Sequence, residues 1–255
     1  MSAEIITIPC LSDNYAFLLH DSSSGKTMLV DAPEADPILA AVKAQGWQID
    51  RVLLTHHHPD HVQGLGAIRD AFAPQVAGCA ADAHRLPPLD IALTEGDELA
   101  IGGLVGRILD VSGHTINHIA WYVPDAQAVF TADSLMALGC GRVFEGTFEQ
   151  MHESLQKLAA LPPETWVYSG HEYTVANARF AQSIDGGNDA LAARVSEISA
   201  TRAAGKATVP SQLVLELATN PFLRAADAGI RTALGMQTAT DAAVFAAIRR
   251  KKDTF

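Results

Sequence analysis

A cluster of four histidines and one aspartate follows directly on an apolar segment of the chain. The cluster is Thr55-His56-His57-His58-Pro59-Asp60-His61, and the apolar segment is Arg51–Leu54. Burying so many titratable groups without a metal costs free energy, whereas neutral imidazole and ionised carboxylate are good ligands for zinc and iron. Neighbouring residues cannot surround a metal by themselves. The cluster therefore requires a fold that brings further ligands to the end of this strand.

Three more candidate ligands share this position just after an apolar, strand-like segment: His114, Asp133 and His171. In a layered α/β architecture such strand ends converge at one edge, where binding sites usually form. A glycine precedes each of the two histidines and permits a tight turn that aims the side chain. We therefore expect the four groups to form one metal site.

The other histidines are expected to be structural or exposed. They are His20, His57, His84, His118 and His152. We expect His57 to point away from a metal held by its neighbours, and His118 to donate a hydrogen bond from behind the ligands.

Short strands alternate with helices over the first two-thirds of the chain. Hydrophobic periodicity predicts helices there at Pro37–Gln45, Val62–Phe72 and Phe148–Ala160. After Gly170 the chain is rich in Ala, Leu, Glu and Arg at helical spacing, as in Leu191–Ala203. The pattern predicts an α+β protein with a domain of strands and helices at residues 1–170 and a smaller helical domain at residues 171–255.

Charge and cysteine content limit the partners and the compartment. The formal net charge of -11 argues against a nucleic-acid partner, which usually requires a basic surface. The three cysteines are too few for a disulfide framework, which favours a reducing compartment. The sequence shows no signal peptide and no apolar run of about 20 residues, the length of a membrane span. We therefore expect a cytoplasmic protein without a membrane partner.

The pattern His56-x-His58-x-Asp60-His61, followed by His114, Asp133 and His171, resembles the ligand set of the metallo-β-lactamase superfamily. The resemblance covers about residues 1–170 and implies an αββα sandwich, with helices outside two facing sheets. It also implies two divalent metal ions, with zinc as the first choice and iron or manganese as alternatives. By the same resemblance, the first metal binds His56, His58 and His114, the second binds Asp60, His61 and His171, and Asp133 bridges them.

Longer stretches resemble one family of this superfamily, glyoxalase II (hydroxyacylglutathione hydrolase). They run over essentially the whole chain: Gly113-His114-Thr115, Gly139-Cys140-Gly141-Arg142, Glu145-Gly146-Thr147, Gly170-His171-Glu172-Tyr173-Thr174, Asn220-Pro221-Phe222-Leu223-Arg224 and Lys252-Asp253-Thr254-Phe255. The resemblance implies a monomer that hydrolyses the thioester S-D-lactoylglutathione to glutathione and D-lactate, the second step of methylglyoxal detoxification. The nucleophile would be a hydroxide shared by two metals, and Asp60 and Asp133 would be the catalytic residues.

The same resemblance assigns the glutathione contacts to Arg142, Phe144, Tyr173, Arg249 and Lys252. Glutathione carries two carboxylates, which basic residues suit. The alternative for the basic run at residues 249–252 is a solvated helix end favoured by the helix dipole. Two positions depart from the family pattern, since Phe144 replaces a tyrosine and Asn117 replaces a glycine. Loss of the tyrosine hydroxyl removes one possible hydrogen bond to glutathione, worth about 0.5–1.5 kcal/mol.

Other activities on this fold are alternatives: β-lactam or lactone hydrolysis, RNA processing and persulfide oxidation. A secreted lactamase would carry a signal peptide, and a nuclease would need a basic surface. A persulfide dioxygenase of this fold would use a single iron, whereas Asp60, His61 and His171 provide a second set of ligands. A non-catalytic metal-binding protein is the alternative from a different functional class, and the intact ligand set argues against it.

Overall fold

The computed structural model describes residues 3–255. The strands are β1 (Ala3–Cys10), β2 (Asn14–Asp21), β3 (Lys26–Val30), β4 (Arg51–Leu53), β5 (Gln75–Cys79), β6 (Ile91–Leu93), β7 (Glu98–Ile101), β8 (Leu104–Asp110), β9 (Ile119–Val123), β10 (Ala128–Ala132), β11 (Leu135–Met136), β12 (Gly139–Cys140), β13 (Trp166–Ser169) and β14 (Ser211–Gln212). The helices are α1 (Ala35–Gln45), α2 (Pro59–Val62), α3 (Leu65–Phe72), α4 (Phe148–Ala159), α5 (Thr174–Ile184), α6 (Asp189–Ala203), α7 (Leu213–Thr219), α8 (Ala228–Leu234) and α9 (Asp241–Asp253).

The chain divides into two compact units. The first contains the residues up to Asp110 together with Asn117–Ala132, and the second contains Val111–Ile116 and Asp133–Phe255. The domain boundary expected near residue 170 rests on sequence composition and stays a prediction.

One sheet of the first unit has the strand order β1-β2-β3-β4-β5-β6. Strands β1 to β3 are antiparallel, and β3 to β6 are parallel. Every residue of β2 is buried, because both faces of the sheet are covered. Leu18 packs in one core with Ile38 of α1 and Ile68 of α3, whereas the ring of Phe17 lies on the opposite face, 5.7 Å from that of Phe130 in β10.

Strands β10, β9, β8 and β7 form an antiparallel ladder in the same unit. The Trp121 ring of β9 stacks on Phe130 at 5.6 Å, and its Nε1 donates a hydrogen bond to the Leu99 carbonyl. Gly106 lies opposite this indole, where a Cβ atom would come within 2.3 Å of Nε1. The two ladders therefore enclose a shared apolar core with aromatic residues at its centre.

Asp21 links the two sheets through a carboxylate that accepts several hydrogen bonds. Its donors are the amide of Gly103 (2.8 Å), the amide and hydroxyl of Ser23 and the hydroxyl of Ser24. These hydrogen bonds hold the pKa of Asp21 well below its usual range, and the bond from the Gly103 amide has the largest effect. The carboxylate therefore stabilises the fold most at pH values where it is ionised in the unfolded chain, above about 4.

An Asp21→Asn substitution is expected to lower the free energy of unfolding at neutral pH by an amount that shrinks on acidification. The depressed pKa contributes stability above the unfolded pKa of about 3.9, and that contribution is lost as the pH falls below it. Urea unfolding of both proteins at pH 7, 5 and 3 measures the difference. Asp70→Asn, at an exposed position of α3, is the control. A difference that stayed constant down to pH 3 would contradict this account.

The second unit contains the remaining helices and short strands. Helices α4 and α9 pack against each other, and β13 pairs with β14. Strands β11 and β12 form a small antiparallel hairpin. An aromatic core joins Phe180, Phe222 and Phe245, with ring centroids 5.9 Å apart in each adjacent pair.

The helix predicted at Val62–Phe72 is interrupted in the structure. Helix α2 ends at Val62 and α3 begins at Leu65. At the break, the amide of Gly64 donates to the Ala32 carbonyl at 2.8 Å, and a Cβ atom on Gly64 would lie 2.9 Å from that oxygen. The close approach of two backbone segments therefore sets the break, and hydrophobic periodicity carries no signal of it. Within residues 3–255, the helices are all too short or too polar to span a bilayer.

Candidate metal centre

The histidine cluster begins just after β4 and ends inside α2. Pro59 starts this helix and places Asp60 and His61 in its first turn. His56 and His61 are fully buried, and the centroid of the His56 ring lies 4.7 Å from that of His58 and 4.2 Å from that of His61. The short helix therefore folds the cluster back on itself and concentrates three imidazoles.

Asp31, which follows β3, fixes the orientation of this cluster. Its carboxylate accepts hydrogen bonds from the amide and the hydroxyl of Thr55, both at 2.8 Å. It also accepts from Nδ1 of His61 at 2.8 Å. Because the Thr55 hydroxyl already donates to Asp31, its oxygen accepts from Nδ1 of His56 at 3.1 Å. Both rings therefore carry their proton on Nδ1 and present the lone pair of Nε2, the form that binds metals.

Asn14 orients the aspartate of the cluster in a similar way. Its Nδ2 donates to the backbone carbonyl of Asp60 at 3.1 Å and to the Asp60 carboxylate at 3.0 Å.

His57 faces away from the other histidines, with Nδ1 3.2 Å from the buried carboxylate of Asp82. The ring of His118 stacks on that of His56 with centroids 4.6 Å apart.

Sequence reasoning missed Asp31, Asn14 and Thr55, which act behind the candidate ligands. Asp31 and Asn14 stand far from the cluster in the chain, at sequence separations of 30 and 46 residues from the side chains they contact. A carboxylate directly after a strand was the only available signal for Asp31.

Asp133 lies at the centre of a second group of candidate ligands. Its Oδ2 is 3.3 Å from Nε2 of His114 and 3.3 Å from Nε2 of His171. The three side chains are buried. Nδ1 of His114 donates to the backbone carbonyl of Arg142 at 2.8 Å, which directs Nε2 of this ring towards Asp133.

The seven candidate ligands offer imidazole nitrogens and carboxylate oxygens. They are His56, His58, Asp60 and His61 in the first unit, and His114, Asp133 and His171 in the second. Imidazole nitrogen and carboxylate oxygen in this number suit divalent metal ions. The donor set therefore fits the chemistry that the sequence predicts for it.

Gly141 is required for the chain to pass beside the central aspartate. A Cβ atom at this position would lie 1.9 Å from the Asp133 carbonyl oxygen and 3.1 Å from Nδ1 of His114. The amide of Gly141 donates to the Ser134 carbonyl at 3.0 Å. The backbone of residues 141–142 can therefore reach His114 only because no side chain intervenes.

Three of the five expected glutathione contacts are exposed residues next to candidate ligands. Phe144 is 59% exposed, meets the His114 ring edge-on at 5.3 Å, and lies 5.5 Å from the Arg142 guanidinium carbon. The Tyr173 ring stacks on His171 with centroids 4.6 Å apart. An open surface beside the ligands is thus lined by aromatic rings and one arginine.

The other two expected contacts are engaged with protein atoms. Arg249 is only 5% exposed, and its guanidinium donates to the Cys140 carbonyl at 2.9 Å and to the Asp253 carboxylate at 3.0 Å. Lys252 Nζ donates to the Ala176 carbonyl at 3.4 Å. Burial lowers the pKa of Lys252, and the nearby positive charge of Arg249 lowers it further. A direct glutathione contact by either residue stays a prediction.

Cys140, which precedes Gly141 in the chain, is unsuited to act as a nucleophile. Burial raises the pKa of Cys140 to about 11, so this side chain remains a thiol at neutral pH. The Cys140 thiol therefore does not compete with the candidate metal ligands as a reactive group.

Comparison with known proteins gives matches over the whole chain. Residues 12–171 match the model of the metallo-beta-lactamase superfamily, and residues 172–255 match the model of the hydroxyacylglutathione hydrolase C-terminus. A protein of Ruegeria pomeroyi called hydroxyacylglutathione hydrolase is 62% identical, with 100% of both chains covered.

Solved structures resemble the chain in fold. The B3 metallo-β-lactamase BLEG-1 has a TM-score of 0.68 at 20% identity and covers 86% of this chain and 99% of its own. ETHE1 from Myxococcus xanthus has a TM-score of 0.64 at 23% identity and covers 100% of this chain and 99% of its own.

Proposed function

Because the chain belongs to the hydroxyacylglutathione hydrolases of the metallo-β-lactamase superfamily, we propose that it hydrolyses S-D-lactoylglutathione to glutathione and D-lactate. The full-length identity of 62% to a hydroxyacylglutathione hydrolase is the observation that carries this proposal. The family, the α+β metallo-β-lactamase fold and the assignment as a hydrolase are confirmed. The acyl group, the site residues and the identity of the metals belong to the proposal.

Two divalent metal ions would be held by the seven candidate ligands. His56, His58 and His114 would bind one, Asp60, His61 and His171 the other, and Asp133 would bridge them. Zinc is the proposed metal, and iron and manganese are alternatives that the same ligands accept. When bound, such ions supply Lewis-acid activation of water and of the thioester carbonyl.

The residues around these ligands have their own tasks in the reaction. Asp31 and Thr55 keep the protons of His61 and His56 on Nδ1. Asn14 directs the Asp60 carboxylate, which can accept a hydrogen bond from the attacking water and orient it. The leaving thiolate needs little protonation, because a thiol pKa is about 8.5. A separate general acid is therefore unnecessary.

The glutathione part of the substrate would lie over the exposed surface beside His114 and His171. Arg142 can pair with a carboxylate there, and Phe144 and Tyr173 provide apolar area. Phe144 cannot donate the hydrogen bond that a tyrosine would supply. Arg249 and Lys252 would contribute positive charge. We further propose that the protein is a cytoplasmic monomer acting on this small-molecule thioester.

Purified metal-loaded protein is expected to consume S-D-lactoylglutathione with kcat/KM of at least about 10⁴ M⁻¹ s⁻¹, the lower end of ordinary enzyme efficiency. A β-lactam and a lactone, assayed in parallel, are expected to react far more slowly. Loss of thioester absorbance measures the reaction. A chelator should abolish it, and adding back zinc should restore it, because the ligands would hold the catalytic ions.

Two results would decide against the proposal. Absence of thioester loss at full metal occupancy would exclude glyoxalase II activity and leave the fold unaffected. Faster hydrolysis of the lactam or the lactone would assign the same ligands to a different substrate.

A further inference from the structure

The segment between Asp133 and Arg142 touches the candidate ligands at both of its ends. We call residues 133–142, which include β11 and β12, the Asp133 hairpin. Its first residue carries the carboxylate that lies 3.3 Å from two histidines. Its last residue provides the carbonyl that accepts from Nδ1 of His114. A displacement of this hairpin would therefore move one ligand and release the ring orientation of another.

Side chains from the helices that follow bind the backbone of the hairpin turn. Asn220 Nδ2 donates to the carbonyls of Met136 (3.1 Å) and Gly139 (3.0 Å). The remaining contacts connect the Ala137 carbonyl with Asn177 of α5, the Leu138 amide with Glu216 of α7, and the Cys140 carbonyl with Arg249 of α9. Five consecutive residues, 136–140, thus have a backbone group bound by a side chain of α5, α7 or α9 or by Asn220, the residue after α7.

The tip of the hairpin is also held by packing. Leu138 has a left-handed backbone conformation, with φ of 55°, which is unfavourable for a residue with a branched side chain. Its side chain is fully buried in a cluster with Ala178 and Ala181 of α5 and Leu191 of α6. Burial of this leucine among the helices stabilises a turn that is not favoured locally.

We propose that helices α5, α7 and α9 fix the Asp133 hairpin in the geometry that the metal centre needs, with Asn220 as the central positioning residue. This role is distinct from substrate binding. It explains the Asn220-Pro221-Phe222 stretch, for which the chemistry of the site offers no other task.

Asn220 is suited to this role by its complete burial and by its position. It follows the last residue of α7, its Oδ1 accepts from the Phe222 amide at 3.0 Å, and its Nδ2 also reaches Glu216 at 3.0 Å. Phe222 in turn lies 5.2 Å from the guanidinium carbon of Arg249. One amide side chain therefore ties two carbonyls of the hairpin to α7 and to the aromatic core.

The test compares the zinc affinity of full-length variants by competition with a chromophoric chelator. Asn220→Ala is expected to bind zinc about 10–100-fold more weakly than the wild type, the usual effect of removing support behind metal ligands. Asn188→Ala is the matched control. Asn188 caps α6 and bonds to Asp185 and Ala218, so its loss should lower Tm by about 2–4 °C and leave zinc affinity within about two-fold.

Asn177→Ala is the second variant and removes only the hydrogen bond from Asn177 to the Ala137 carbonyl of the hairpin. It keeps the test decisive if Asn220→Ala does not fold. It is expected to weaken zinc binding several-fold. Zinc affinities of Asn220→Ala and Asn177→Ala equal to that of the wild type would overturn the inference, as would an equal loss in Asn188→Ala.

The inference rests on the proposed function, and the two fail differently. A wild-type protein that binds no zinc would overturn both. A wild-type protein that binds zinc and hydrolyses the thioester, beside variants of undiminished affinity, would overturn the positioning role alone.

Discussion

Replacing Asp133 with alanine is expected to reduce kcat/KM for S-D-lactoylglutathione by at least about 10³-fold. Its carboxylate lies 3.3 Å from two histidine nitrogens. Without it, two imidazoles lose their shared anionic partner, and the proposed pair of ions loses its bridge. Metal activation of the reaction contributes several kcal/mol, and each 1.36 kcal/mol corresponds to about tenfold in rate.

Metal content should fall together with the rate in this variant. Asp125→Ala makes the same change at an exposed position after β9 and is expected to retain full activity and two metals per chain. Circular dichroism would show that both variants fold. An Asp133→Ala protein that kept both metals and the wild-type rate would exclude Asp133 as a ligand.

Replacing Glu216 with glutamine is expected to lower the free energy of unfolding by about 3–5 kcal/mol, the usual result of breaking a buried ion pair. The Glu216 carboxylate is fully buried and pairs with Arg194, itself 6% exposed. It also accepts from the hydroxyl of Ser211 at 2.6 Å and the amide of Leu138 at 2.8 Å. Glutamine has nearly the same shape as glutamate but leaves the positive charge of Arg194 without a counter-ion. Its amide hydrogens would also point at groups that donate hydrogen bonds to the carboxylate in the wild type.

Glu197→Gln is the matched control, because it removes the same charge from an exposed position of α6. Its effect on urea unfolding should stay within about 0.5 kcal/mol. Adding Arg194→Met to Glu216→Gln removes the unpaired charge and is expected to recover part of the loss. Equal stabilities of Glu216→Gln and Glu197→Gln would refute the importance of this ion pair.

The candidate ligands could be predicted from sequence because each has a local signature. An apolar strand, a tight turn and a donor side chain occupy neighbouring positions, as at Gly113-His114 and Gly170-His171. The side chains that support them have no such signature. Asp31 contacts His61 across 30 residues, and Asn220 contacts Met136 across 84. Only the folded chain shows these pairs, because tertiary packing decides them.

The fold, like the site, could be predicted from sequence only where the signal is local. Periodic segments such as α1 and α6 agree with the sequence pattern, whereas β11 and β12 have two residues each and show no periodicity. Leu138 would be expected to avoid the left-handed conformation that it adopts. The helices surrounding its side chain decide the turn, and local propensity does not.

Arg249 and the Cys140 carbonyl, which share a hydrogen bond, are 109 positions apart in the chain. This bond can therefore form only long after the hairpin has been synthesised. At about 5–20 residues per second, a ribosome needs on the order of 5–20 s to pass from the hairpin to this arginine. During that interval the hairpin has been made but lacks its partner from α9. Translation speed along the helical segment thus sets the shortest time for which the nascent hairpin lacks this bond.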